Sequence, residues 1–147
     1  MKKLCLGLLA FSLFFSAHSC KNRGSKKDDS AKPVVSYGSF GGFTGAENRI
    51  DIFKNGDIYR NSSLSGKSEL AGTIKKGEVK NVLKEAKKLN FDTLSINQPG
   101  NMSYFIKIGE NKVVWGKNGA NPPEQVSSIN TMLQTILDNI NTSENNE

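Results

Sequence analysis

Apolar and polar residues alternate through RIDIFKNGDIYR, Arg49 to Arg60, and Asn55-Gly56 interrupts the alternation at its centre. Alternation of period two is the pattern of a half-buried strand, and Asn-Gly suits the positive φ angles of a two-residue type I′ turn. The expected hairpin pairs Lys54 with Asp57, Phe53 with Ile58, Ile52 with Tyr59 and Asp51 with Arg60. Ile50, Ile52 and Tyr59 then share the core face, and Phe53 and Ile58 lie on the wetter one. A second alternating run, from Met102 to Trp115, predicts another hairpin. A turn at Glu110-Asn111 would set Ile108 opposite Val113 and Ile106 opposite Trp115. PVVSYGSF, Pro33 to Phe40, reads as an earlier strand and leads into the glycine-rich loop GGFTGAE. SSLSGKSELAGTI reads as a further strand or hairpin.

The period changes twice to that of a helix. In GEVKNVLKEAKKLNF, Val79, Val82, Leu83, Ala86 and Leu89 recur at helical spacing, and Lys80, Lys84, Lys87 and Lys88 take the other side. Val126, Ile129, Leu133, Ile136 and Ile140 form a second stripe. Asn121 is placed to cap that helix, Pro122 to open it and Glu124 to complete a capping box. The order strands, helix, strands, helix predicts an α+β domain: an antiparallel sheet of two or more hairpins with two helices packed on one face.

A different pattern opens the chain. Lys2 and Lys3 precede the apolar run Leu4 to Phe15, and the small residues Ser16, Ala17 and Ser19 close it. This is the order of a secretion leader, and a dozen apolar residues fall short of the about 20 that cross a bilayer. Ser19-Cys20 resembles the lipobox of bacterial lipoproteins, in which the cysteine receives a diacylglycerol and becomes the first residue of the mature chain. Ala17 and His18 depart from the usual box, and Ala17-His18-Ser19 also fits ordinary leader cleavage at the same bond. The resemblance implies lipidation of Cys20, anchoring in a lipid bilayer and an outer-membrane location in the cell envelope. The expected organisation is a lipoprotein signal peptide over 1–19, a flexible tether over 20–32, a single domain over 33–140 and a disordered tail over 141–147. Lys27-Asp28-Asp29, within the tether, resembles a lysine-plus-acids surface-export signal.

Gly41-Gly42-Phe43, Asn55-Gly56, Asn90-Phe91 and Pro122-Pro123 resemble, in order and setting, the short motifs of a small α+β domain carried by envelope lipoproteins of the Bacteroidota type. No activity comes with that resemblance. Asp29-Ser30-Ala31 and Asp92-Thr93-Leu94 match a short O-glycosylation pattern of such proteins, and only Ser30, in the tether, is expected to be accessible.

Composition narrows the chemistry. Cys5 and His18 depart with the leader, and the loss of Lys2 and Lys3 lowers the net charge from +6 to +4. The mature chain then has no histidine and no free thiol, which removes histidine and cysteine metal sites and Ser-His-Asp or Cys-His catalysis. No catalytic residue and no cofactor is expected; carboxylates or a Ser-Lys pair are the remaining route to a hydrolase. Arginine occurs in the mature chain only at 23, 49 and 60, so nucleic-acid recognition is not expected. The glycine-rich loop leads into a strand and not a helix N-terminus, which argues against a phosphate cradle. Phe40, Phe43 and Trp115 are the candidate partner-binding residues, although each also fits a core position. These features imply a non-enzymatic binding or accessory module whose partner is an envelope protein or glycan. The alternative they leave is a secreted inhibitor of a lytic enzyme or protease.

Overall fold

The computed structural model describes residues 32–144. The strands are β1 (Val35–Gly41), β2 (Ala46–Ile52), β3 (Asp57–Ser62), β4 (Lys67–Thr73), β5 (Met102–Ile108) and β6 (Asn111–Trp115). Helix α1 (Lys76–Lys88) and a short 3-10 turn, Phe91–Thr93, lie between β4 and β5, and helix α2 (Glu124–Glu144) follows β6. The six strands form one sheet in the order β4-β3-β2-β1-β5-β6, with every neighbouring pair antiparallel. This is the α+β architecture that the pattern predicts.

One face of the sheet is the core. Val35, Ile52, Ile58, Ile106, Val113 and Trp115 pack there with Val79, Val82 and Ala86 of α1 and all five stripe residues of α2. Burial of these side chains is the main favourable term in folding. The opposite, uncovered face carries Phe40, Asp51, Tyr59 and Phe105, which lie at the alternate positions of the same strands.

The first hairpin has a different register from the one Asn-Gly predicts. The Phe53 N–H donates to the Asp57 carbonyl at 2.9 Å, and the Gly56 N–H donates to the Phe53 carbonyl at 3.0 Å. The loop therefore has three residues, Lys54, Asn55 and Gly56, and Gly56 takes φ +100°, a region that glycine enters without strain. Asn55 Oδ1 accepts the Asp57 N–H at 3.0 Å, and the Ile74 N–H donates to the Gly56 carbonyl at 2.9 Å, which ties the turn to the exit of β4. Ile58 now faces Ile52, and Tyr59 faces Asp51. A one-residue slip exchanges the faces of a strand. Ile58 is accordingly in the core at 0% exposure, and Tyr59 packs edge-on against Phe53 on the other side.

The second hairpin also differs, but by two residues. Gly109-Glu110 form the turn, with φ +61° at Gly109, so Ile106 faces Val113 and Tyr104 faces Trp115. An even slip leaves every side chain on its expected face.

α1 begins where the Glu78 carboxylate accepts the Lys75 N–H at 3.0 Å, and Lys87 and Lys88 sit favourably in its last turn. Asn90 turns the chain with φ +49°, a conformation that asparagine tolerates, and Phe91 enters the core. α2 begins at Glu124, so Asn121 and Pro122 precede its first turn and do not cap it. It continues through Asn141–Glu144, beyond the predicted domain end at 140. The β6 edge is covered: the Val114 N–H donates to the Ile96 carbonyl and the Gln98 N–H to the Val114 carbonyl, both at 2.9 Å. At the other edge β4 is exposed along Lys67–Leu70, where Lys67 and Glu69 discourage strand addition.

Burial pushes the Tyr37 phenol above its ordinary range, with the neighbouring Tyr104 acting in the same direction and the hydrogen bond with Gln134 opposing both. A raised folded pKa means stability that is complete below the unfolded tyrosine range and is lost as pH rises through the folded value. Stability should therefore decline above about pH 10, and Tyr37→Phe should flatten that alkaline decline. Urea midpoints against pH for both proteins check this; parallel alkaline limbs would count against it.

Candidate functional site

Strand direction gives the molecule two ends. The β2–β3 and β5–β6 turns, the start of β1 and the whole approach from Lys32 lie at one end; the β1–β2 and β3–β4 turns lie at the other. Seven residues of strand separate the ends by about 20 Å.

The predicted partner-binding residues do not converge. Trp115 is only 4% exposed: it stacks on Tyr104 at 6.0 Å in the core, and its Nε1 donates to the Ala120 carbonyl at 3.0 Å. It is a packing residue and presents no surface to a partner. Phe40 lies on the opposite, uncovered face against Phe105, with ring centres 6.1 Å apart. The Lys112 ammonium stands 4.0 Å from the Phe105 ring centre and 5.1 Å from that of Phe40, and the three close off this part of the face. Phe43 is fully exposed in the β1–β2 turn.

Two residues outside the predicted partner-binding set join Phe43 at that end. Leu64 is exposed in the β3–β4 turn, and Met102 is exposed at the start of β5. Backbone contacts hold the segments together: the Ser63 N–H donates to the Glu47 carbonyl at 2.8 Å, and the Gly42 N–H to the Asn101 carbonyl at 2.7 Å. The available signal for Leu64 was a single large apolar residue inside the turn-forming run SSLSG.

The uncovered face is centred on Asp51, which is 6% exposed. Its carboxylate accepts hydrogen bonds from Ser36 Oγ at 2.6 Å, Arg49 Nε at 3.0 Å and Asn61 Nδ2 at 2.9 Å. Arg49 also donates to Glu47 at 2.7 Å. Burial disfavours the Arg49 charge, but the hydrogen bonds to Glu47 and Asp51 outweigh it and hold the guanidinium above its ordinary range. Asp51 has a donor on each side and no open approach for a reacting atom, so the cluster reads as a cross-strand tie between β1, β2 and β3. Asp51→Ala strands these donors and should cost about 1–3 kcal/mol of stability, read from urea unfolding.

A further feature lies at the opposite end from Phe43. A cleft of about 430 Å³ runs between the β2–β3 turn and the first turns of α1. Phe53, Tyr59, Val79 and Leu83 make it largely apolar. Lys32, Lys54, Lys76 and Lys80 stand along it, with Asn55 and Asp57. Lys80 is the one member of the predicted lysine row that reaches the cleft. A second depression, of about 570 Å³, shares Lys32 and Leu83 with it and adds Lys107 and Glu110.

Cys20 and Ser30 lie outside the described residues. Thr93, the other glycosylation candidate, is exposed, and its Oγ1 donates to the Asn90 carbonyl at 2.8 Å; it is more accessible than the sequence reading expects. Among the described residues, no group of three or more His, Cys, Asp or Glu is placed to hold a metal ion, and no helix is long and apolar enough to cross a membrane. The fold and its surfaces define a six-stranded α+β domain with an apolar, lysine-lined cleft at one end and exposed apolar side chains at the other. The chain matches no family model, no curated protein and no solved structure.

Proposed function

We propose that this protein is a lipid-anchored, non-enzymatic binding module of the cell envelope. Acylated Cys20 fastens it to the outer membrane, and the far end of the sheet engages an envelope protein or glycan. The observation that carries this reading is the separation of the two ends: the chain enters the domain at Lys32, while Phe43, Leu64 and Met102 stand exposed across the sheet. The twelve residues from Cys20 to Ala31 that precede Lys32 span up to about 40 Å when extended, enough to hold that far end clear of a bilayer. Exposed apolar residues brought together on neighbouring turns favour a contact surface.

The test combines two readouts on the full chain. Metabolic fatty-acid labelling should mark the wild-type protein and fractionate it with membranes, and Cys20→Ser should abolish both. Crosslinked co-purification from membranes should then recover a specific component that Phe43→Ser/Leu64→Ser loses. An unlabelled wild-type protein in the soluble fraction would remove the anchor, and a recovered set indifferent to the double variant would remove the contact surface.

Phe43 also favours a second reading, inhibition of a lytic enzyme or protease by a turn that presents one aromatic residue to an active site. Inhibition assays against lysozymes and proteases with wild type and Phe43→Ser separate this reading from the first.

A further inference from the structure

We infer that the cleft beneath α1 binds an amphiphile with a single acyl chain and an anionic head. The apolar wall formed by Phe53, Val79 and Leu83 offers an acyl chain a surface from which water is displaced. Its volume, about 430 Å³, lies in the range of small-molecule sites. Selection of the head comes from charge. Lys54 arrives from the hairpin turn, Lys76 and Lys80 from one side of α1, and Lys32 from the chain entry. Among the described residues Lys54, Lys76 and Lys80 make no ion pair, and Lys32 has only the distant, exposed Glu110 at 3.9 Å. Asp57 is the one carboxylate on the lining, so the four ammonium ions leave an excess of positive charge that raises the local potential, and an anionic head relieves their mutual repulsion. Their alkyl stems add apolar surface along the acyl chain while the charged ends stay wet. A neutral lipid or an uncharged glycan gains no charge–charge attraction from the lysines.

The inference rests on the anchoring reading only for the source of the ligand: if the tether leads to a bilayer, the cleft opens at the membrane-proximal end of the domain. The binding itself is independent of Cys20, and the experiment keeps the two separate. The mature chain, residues 20–147 with Cys20→Ser, carries no acyl group of its own. Calorimetric titration with oleate, below its micelle concentration, should saturate at one per chain and weaken as salt screens the lysines. Lysophosphatidylcholine with the same acyl chain, whose head has no net charge, should bind at least about tenfold more weakly. Lys76→Gln/Lys80→Gln should lose about tenfold or more of the oleate affinity with an unchanged melting temperature, because both side chains are exposed. Inorganic phosphate alone should not displace oleate. Absence of saturable oleate binding, equal affinity for the zwitterion, displacement by phosphate, or an indifferent double variant would each overturn the inference.

Discussion

Phe91→Ala is expected to lower the unfolding free energy by about 3–5 kcal/mol, one of the largest losses any truncation in this domain should produce. The ring is 2% exposed and belongs to the core cluster with Val79 and Val82 of α1 and Val113 of β6. Its position is fixed on both sides. Asn90 bends the backbone out of α1, and the Asn111 side-chain amide donates to the carbonyls of Phe91 (2.5 Å) and Leu94 (3.0 Å). A backbone held at two points cannot collapse into the space the ring vacates, so the cavity penalty adds to the lost transfer energy. Urea unfolding of the full chain measures the effect, with Phe43→Ala as the comparison. Phe43 touches little and should change stability by no more than about 0.5 kcal/mol. Similar losses at both positions would mean that Phe91 is not the packing residue described here.

The same contrast shows what hydrophobic pattern can and cannot reveal. Both helical stripes are legible because a period of 3.6 survives errors of a residue at either end: Val79, Val82 and Ala86, and all five stripe residues of α2, are buried. The second hairpin differs from its expected register by two residues without consequence, since period two restores every face. In the first hairpin, Asn-Gly alone predicts a complete two-residue turn, and the loop instead takes in Lys54. The competing pull is the match of Ile58 to Ile52 on one face and of Tyr59 to Phe53 on the other. That preference depends on what lies above and below the sheet and is invisible in a single strand. The cleft was illegible for a related reason. Phe53, Tyr59, Val79 and Leu83 come from a turn, a strand and a helix, and only the crossing of α1 beside the β2–β3 turn brings them together.

Ile58→Asp is expected to abolish cooperative folding or cost more than about 4 kcal/mol near neutral pH. Ile58 is fully buried between Ile52 of β2 and Gly72 of β4. A carboxylate there is surrounded by the sheet and α2, whose Ile140 packs near Gly72. Either the acid remains charged and loses its hydration, or it takes up a proton at the expense of stability; both routes destabilise the fold. Ile58→Val calibrates the site, because loss of one methylene group without a polar atom should cost about 0.5–1.5 kcal/mol. The pair also decides the register. With a two-residue turn, Ile58 would lie on the uncovered face, where aspartate is tolerated and valine is indistinguishable from isoleucine. A steep fall from valine to aspartate therefore requires the three-residue loop, and with it the placement of Tyr59 beside Phe53. That placement forms one wall of the cleft. A folded, stable Ile58→Asp protein would reverse the faces of β3 and take Tyr59 out of the proposed binding site.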